Sequence, residues 1–153
     1  MISNVSVRPA RIGERAALEA LQWRASLVWE EYRDALLAHP DAIELPAEQI
    51  AEGHTIVAEV EDRIVGFAVV LPRADGEAEL DGLFVEPSAW RTGIGSRLIG
   101  DAEILAAARG GKFLHVVANP LAEGFYFSCG FQTVGEESTR FGMAHTMRKA
   151  LQP

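Results

Sequence analysis

Val85-Glu86-Pro87-Ser88-Ala89-Trp90-Arg91-Thr92-Gly93-Ile94-Gly95-Ser96-Arg97-Leu98 is the stretch whose reading decides the fold. An apolar strand runs into a turn, and the turn opens into a helix with two glycines at its start. The first N–H groups of a helix lack internal partners, and the positive end of the helix dipole lies at the same place. Gly93 and Gly95 carry no side chain that would keep a phosphate off the backbone. Residues 90–96 therefore read as an anion site, with a helix start whose glycines serve close packing as the alternative. Two other phosphate motifs fail. A P-loop needs Lys-Ser or Lys-Thr after its second glycine, where this chain has Ser96-Arg97. A dinucleotide fingerprint needs a third glycine where Leu98 stands, and an acidic residue about 20 positions on, where Arg109-Gly110-Gly111-Lys112 stands.

At 153 residues the chain is expected to form a single domain, residues 1–153, large enough for a core. No apolar run approaches the roughly 20 residues of a membrane span, so no membrane partner is expected. The start, Met1-Ile2-Ser3-Asn4-Val5, lacks a basic region followed by an apolar stretch. The single cysteine, Cys129, rules out an internal disulfide and suits a cytoplasmic location. A formal charge of −8 argues against nucleic acid and weakly favours small cationic partners.

Outward from the opening stretch, apolar spacing predicts helices over residues 11–27 and 29–38, with a short one over 47–51. Strands are expected at 5–9, 55–60, 64–71 and 78–85, the second and third joined by the tight turn Glu61-Asp62-Arg63. The helix after the glycines is expected over 91–109, with Ile94, Leu98, Ala102, Leu105 and Ala108 facing inward and Gly110-Gly111 ending it. A buried strand at 113–118, a short helix at 121–129 and a closing strand pair at 131–134 and 143–151 complete the chain. Such mixing implies an α/β or α+β sheet with helices on its faces.

A second motif, Asn119-Pro120-Leu121-Ala122-Glu123-Gly124-Phe125-Tyr126-Phe127-Ser128-Cys129-Gly130-Phe131, follows the buried strand directly. Taken alone, it is a strand end, a proline-started helix and a glycine stop. Asn119 then caps the helix and Tyr126 belongs to the core.

The two motifs in this order resemble the GNAT superfamily of acetyl-coenzyme A-dependent N-acetyltransferases. That family's phosphate loop reads Gln/Arg-x-x-Gly-x-Gly/Ala after a strand ending Val-x-Pro; Val85-Glu86-Pro87 and Gly93-Ile94-Gly95 match it. Its second signature, Asn-x-x-Ala-x-x-Phe/Leu-Tyr-x-x-x-Gly-Phe, is filled by Asn119, Ala122, Phe125, Tyr126, Gly130 and Phe131. Met147-Arg148-Lys149-Ala150-Leu151 is similar to the family's last strand. The resemblance is close from about residue 55 onward and loose before it. One position departs: Trp90 stands where the family has Gln or Arg, with Arg91 next to it to supply charge.

The resemblance implies a GNAT fold: a mixed, mostly antiparallel sheet of six to seven strands flanked by about four helices. It implies acetyl-coenzyme A as co-substrate, no metal, and direct acetyl transfer to a primary amine in a ternary complex. Such transfer needs a neutral amine, although the lysine reference pKa is about 10.4. It also needs stabilisation of the carbonyl oxygen and a proton for the departing thiolate. Glu79 and Asp81, two apart on a strand and so on one face, are the base candidates; a solvated or ion-paired role is the alternative. The resemblance makes Tyr126 the proton donor. It assigns the coenzyme to Leu83, Phe84 and Val85, to the loop Trp90, Arg91, Thr92, Gly93, Ile94, Gly95 and Ser96, and to Asn119 and Phe125.

Cys129 reads as a packed thiol rather than an acetyl carrier, and His115 as a sheet residue; His39, His54, His115 and His145 lack metal-ligand spacing. No Gly-x-Ser-x-Gly elbow is present, which excludes a serine hydrolase of that type. For the acceptor, the resemblance brings in Trp23, Trp29, Tyr32 and Phe141, with Glu30 and Glu31 near by; the aromatics read equally as core. A small-molecule amine and a peptide or protein amine both remain open, as do a longer acyl chain and a homodimer. The rival class is a catalytically silent module of the same fold that binds acetyl-coenzyme A as a sensor or partner surface.

Overall fold

The computed structural model describes residues 4–139 and 142–152, with the side chains of residues 31 and 32 left aside. The elements are β1 (Ser6–Pro9), α1 (Arg15–Leu27), α2 (Glu30–Ala38), α3 (Ala47–Ala51), β2 (Thr55–Val60), β3 (Arg63–Pro72), β4 (Ala78–Val85), α4 (Ile94–Ala108), β5 (Phe113–Ala118), α5 (Glu123–Ser128), β6 (Gln132–Thr139) and β7 (Gly142–Ala150). The strands follow the order β1-β2-β3-β4-β5-β7-β6 in one sheet. The β4–β5 pair is parallel, and β1–β2, β2–β3, β5–β7 and β6–β7 are antiparallel. This is the mixed, mostly antiparallel sheet expected, with seven strands and five α-helices among the described residues.

The chain forms two compact units, one of residues up to Val69 with Gly82–Leu98, the other of Val70–Asp81 with the chain from Ile99 onward. In the first, Leu18, Leu21, Val57, Phe67, Ile94 and Leu98 are buried. The β2–β3 turn has Glu61 at φ 52° and Asp62 at φ 63°. Positive φ at two successive turn residues is what a tight hairpin with right-twisted strands requires. Arg8 of β1 donates to Glu59 of β2 at 2.7 Å and to Glu14, in the 3-10 turn before α1, at 2.7 Å. Its guanidinium holds both carboxyls below their ordinary value.

In the second unit, Ala78 and Leu80 register with Leu114 and Val116, and all four are buried. Lys149, which pairs with Leu114, donates to Glu103 of α4 at 2.9 Å, so α4 covers this face. Glu79 and His115 register with each other and, by the two-residue period of a strand, point to the opposite face.

Three expectations need correction. The helix predicted from residue 91 begins at Ile94, because Arg91 (φ 65°) and Gly93 (φ 89°) are both left-handed and a right-handed helix cannot include them. Its buried stripe is Ile94, Leu98, Ile99, Ala102 and Ala106, while Leu105 is half-buried and Ala108 exposed. Steps of four carry the stripe along the core, and the expected steps of three at its end swing it off. The segment predicted as one helix over 11–27 divides into a 3-10 turn, Ile12–Glu14, and α1.

Gly66 of β3 fixes how closely β4 approaches. A Cβ there would lie 3.0 Å from the Phe84 carbonyl oxygen and 3.1 Å from Leu98 Cδ1. The first of these is backbone and cannot swing away. Gly66→Ala is expected to lower stability by about 1–3 kcal/mol, the range for overpacking a filled core. Chemical denaturation followed by circular dichroism checks this.

Candidate active site

The candidate site residues fall into two sets, one in each unit. In the first unit, β4 ends at Val85 and the chain makes a 3-10 turn, Pro87–Ala89. Ala89 N–H donates to the Glu86 carbonyl at 2.8 Å and Trp90 N–H to that of Pro87 at 3.2 Å. The Thr92 hydroxyl donates to the Ala89 carbonyl. Arg97 N–H donates to the Gly93 carbonyl at 3.0 Å. The N–H groups of Gly93, Ile94 and Gly95 precede that bond and have no helical carbonyl to reach, which is the anion-binding arrangement. A Cβ at Gly93 would meet nothing within 4 Å, so this glycine answers to its left-handed φ and not to close packing. The Ile94 side chain is buried, which leaves only its backbone for a ligand.

Trp90 has a different task from the Gln or Arg expected at its position. Its indole N–H donates to the Val85 carbonyl at 2.7 Å, and its ring lies 5.6 Å from that of Trp29, tilted by 31°. The ring folds back to brace the turn, and the exposed Arg91 stands as a cation beside the helix start. Leu83, Phe84 and Val85 are half-buried, and the Phe84 ring lies 5.3 Å from that of Phe67.

In the second unit, β4 alternates as expected: Ala78 and Leu80 are buried, Glu79 is half-buried and Asp81 exposed. Burial raises the Glu79 carboxyl above its ordinary value, Arg73 opposes that rise, and the charges of Asp81 and Glu137 add to it. Arg73 Nη1 lies 3.7 Å from Glu79 Oε1. Asp81 presents surface to solvent, yet protein around its carboxyl displaces enough water to raise it too. His115, in register with Glu79, is pushed down chiefly by burial, and its buried Nε2 has no partner among the described residues. It is the sheet residue expected.

Tyr126 is buried, with Phe125 at 5.3 Å and Phe131 at 5.5 Å, both edge to face. Burial, more than the neighbouring Cys129, holds its hydroxyl well above the usual tyrosine value. Asn119 Oδ1 accepts the N–H groups of Leu121 at 2.8 Å and Ala122 at 3.1 Å, so its carbonyl serves the turn into α5 and its amide nitrogen is the group left for a ligand. Glu123, the first residue of α5, pairs with His145 Nδ1, and Glu136 lies 3.5 Å from His145 Nε2; Glu123 is the main cause of the raised imidazole pKa. Cys129 is a half-buried free thiol. Among the described residues no group of three or more His, Cys, Asp and Glu could hold a metal. Phe141 and the side chains of Glu31 and Tyr32 lie outside the described residues.

Sequence reading missed Arg73, placing it only in a turn. Its signal was position: a strand hairpin folds Arg73 back beside Glu79, six residues on. It also missed the ring contact between Trp29 and Trp90.

The model of the acetyltransferase (GNAT) family matches residues 16–131. The chain belongs to that family. Solved structures agree in fold across nearly the whole chain. A GCN5-related N-acetyltransferase from Rhodopseudomonas palustris is 24% identical, with a TM-score of 0.77 over 99% of this chain and 98% of that one. The PaiA N-acetyltransferase from Thermoplasma acidophilum, solved with coenzyme A, is 20% identical, with a TM-score of 0.76 over 96% and 99%. An aminoglycoside 6'-N-acetyltransferase, also solved with coenzyme A, is 20% identical, with a TM-score of 0.72 over 97% and 98%. No curated protein matches the chain. No helix among the described residues is long and apolar enough to cross a membrane.

For this GNAT acetyltransferase, the Arg73–Glu79 pair sets a titration. The guanidinium favours the charged carboxylate, so its removal raises the carboxyl further. In Arg73→Gln, the Glu79 carboxyl is expected to titrate at higher pH than in the parent, read by carbon-detected NMR. An unchanged midpoint would show that the pair is screened.

Proposed function

We propose that the chain, as one GNAT domain, transfers an acetyl group from acetyl-coenzyme A to a primary amine by direct attack in a ternary complex. The observation that carries this reading is the left-handed turn at Arg91 and Gly93 opening into α4. It leaves backbone N–H groups for a pyrophosphate on the same strand-and-turn that carries Glu79 and Asp81. The coenzyme-bound state of three-dimensionally similar proteins supports the choice of anion.

In this mechanism the loop and Arg91 hold the pyrophosphate, and the backbone of residues 83–85 receives the pantetheine as an added strand would be received. The β4–β5 ladder carries rungs at Ala78–Leu80, so residues 83–85 lie past its last rung. Glu79 or Asp81 takes one proton from the incoming ammonium, directly or through water. The neutral nitrogen attacks the thioester carbon; the C–N bond forms, the C–S bond breaks, and the second nitrogen proton leaves as the amide forms. Raised carboxyl pKa values suit this work, because a base titrating nearer the working pH is a better proton acceptor. Tyr126 directs its O–H at the departing sulfur. Its raised pKa, against about 8.5 for an ordinary thiol, makes a strong hydrogen bond the larger part of its help, with solvent completing the thiol. The overall release is one proton.

The acidic face of Glu79, Asp81 and Glu137 and the formal charge of −8 favour a cationic acceptor, either a small-molecule amine or a peptide amine. The single cysteine and acidic balance fit a cytoplasmic enzyme.

Thiol release from acetyl-coenzyme A over a panel of amines tests the reading. Glu79→Gln with Asp81→Asn is expected to lower turnover by about 10²–10⁴-fold, the usual worth of a general base. Tyr126→Phe is expected to lower kcat with little change in the KM for acetyl-coenzyme A. Because both carboxyls are raised and act when ionised, the acid limb of the pH profile is expected above the ordinary carboxylate range. Because Tyr126 acts when protonated and its pKa is raised, it contributes no alkaline limb near neutral pH. Coenzyme binding with no acceptor-dependent thiol release would identify a silent binding module instead.

A further inference from the structure

The turn that would carry the pyrophosphate holds a conformation that its own residues do not favour. Arg91 has φ 65°, where a side chain with a Cβ is disfavoured, and it stands two residues before Gly93 at φ 89°. Such a conformation persists only when the surroundings over-determine it. Within the first unit the surroundings are specific. The Glu86 N–H donates to the Val65 carbonyl of β3 at 2.8 Å. The Glu86 carboxylate accepts two parallel bonds from Arg24 of α1, both 2.8 Å, and this guanidinium holds it below its ordinary value. Trp90 is tied back to Val85 through its indole N–H and covered by the ring of Trp29.

Trp29 is itself fixed at the joint between α1 and α2. Its N–H donates to the Ser26 carbonyl at 3.2 Å, and its carbonyl accepts the Arg33 N–H at 3.1 Å. A half-buried ring on a pinned backbone is a stiff support. The exposed Arg24–Glu86 pair is screened by water and contributes less.

We propose that Trp29 is a positioning residue for the coenzyme: by stacking on Trp90 it holds residues 90–93 in the shape that binds pyrophosphate, with Arg24 as the weaker second tie. Trp29 thus takes over, from the α1–α2 joint, the support that the turn needs once Trp90 occupies the Gln/Arg position of the motif. This rests on the acetyl-coenzyme A reading above and extends it to residues outside the loop.

Calorimetric titration of the full chain with coenzyme A, and in parallel with pantetheine, tests it. Trp29→Ala is expected to weaken coenzyme A by about 3- to 10-fold, the worth of an aromatic pair. Pantetheine, which lacks the pyrophosphate, is expected to bind as in the parent. At saturating acceptor the KM for acetyl-coenzyme A is expected to rise, and Trp29→Phe, which keeps a ring, restores affinity to within about 2-fold. A folded Trp29→Ala that binds coenzyme A like the parent overturns the proposal. So does equal weakening of pantetheine, which would mark a general loss of structure. Should Trp29→Ala fail to fold, Trp29→Leu keeps the apolar bulk without the ring: weaker coenzyme A binding supports the proposal, and parent affinity overturns it. Failure of the parent itself to bind coenzyme A would instead overturn the underlying reading.

Discussion

A backbone anion site exists only while the backbone is held open, and in this chain that depends on two left-handed residues. Arg91 and Gly93 turn the chain out of β4 and deny the helix its first three predicted residues. The helix starts at Ile94, and the N–H groups around it are left without helical carbonyls. A regular helix from residue 91 would satisfy some of those groups internally and bury the site in its own hydrogen bonds. The ties to Val65, Arg24 and Trp29 therefore belong to the proposed site, although those three residues themselves lie outside the phosphate motif.

In the second unit water exclusion and charge set the titration of the candidate residues. Burial raises Glu79, Asp81 and Tyr126 together, but the consequences differ because carboxyls start from an ordinary value of about 4 and the phenol from one of about 10. The carboxyls become better bases while the phenol keeps its proton. Arg73 opposes the rise at Glu79. His145 adds a different dependence. Its imidazole is raised by Glu123, so the pair's contribution to stability is complete below the ordinary histidine value and is lost as pH rises through the raised one. Glu123 begins α5 and Tyr126 lies three residues on, on a neighbouring position of the same helix face. In the proposed mechanism, the helix that carries the proton donor thus also carries a contact that weakens as pH rises.

Much of this was legible in the residues. Strands 55–60, 78–85 and 113–118 have the expected bounds because each lies between clear turn signals, the first and last as apolar runs and the second as an alternating one. The shared face of Glu79 and Asp81 follows from the two-residue period alone. The insertion of β7 between β5 and β6 was not legible, since pairing between strands far apart in sequence leaves no local trace. The helix start at 94 was missed because left-handed Arg91 looks like any helix-compatible arginine. Arg73 and the Trp29–Trp90 contact were missed for the same reason: each is a meeting of side chains that no spacing rule announces. Tyr126 and Asn119 were each open to a structural reading: the tyrosine is buried as that reading has it, whereas the asparagine bonds the turn ahead of α5 and the N-cap of the helix is Ala122. Neither precludes work on a coenzyme, because the phenol O–H and the amide nitrogen are still on offer.

The central claim is that residues 91–96 bind the donor's pyrophosphate through their backbone. Amide-resolved NMR during titration with coenzyme A tests it most directly. The account predicts that the largest shifts fall on the N–H groups of residues 91–96, with Gly93 and Gly95 foremost, and that pantetheine at equal saturation leaves them in place. Coenzyme A that binds while those amides stay unmoved, or pantetheine that moves them equally, would contradict it.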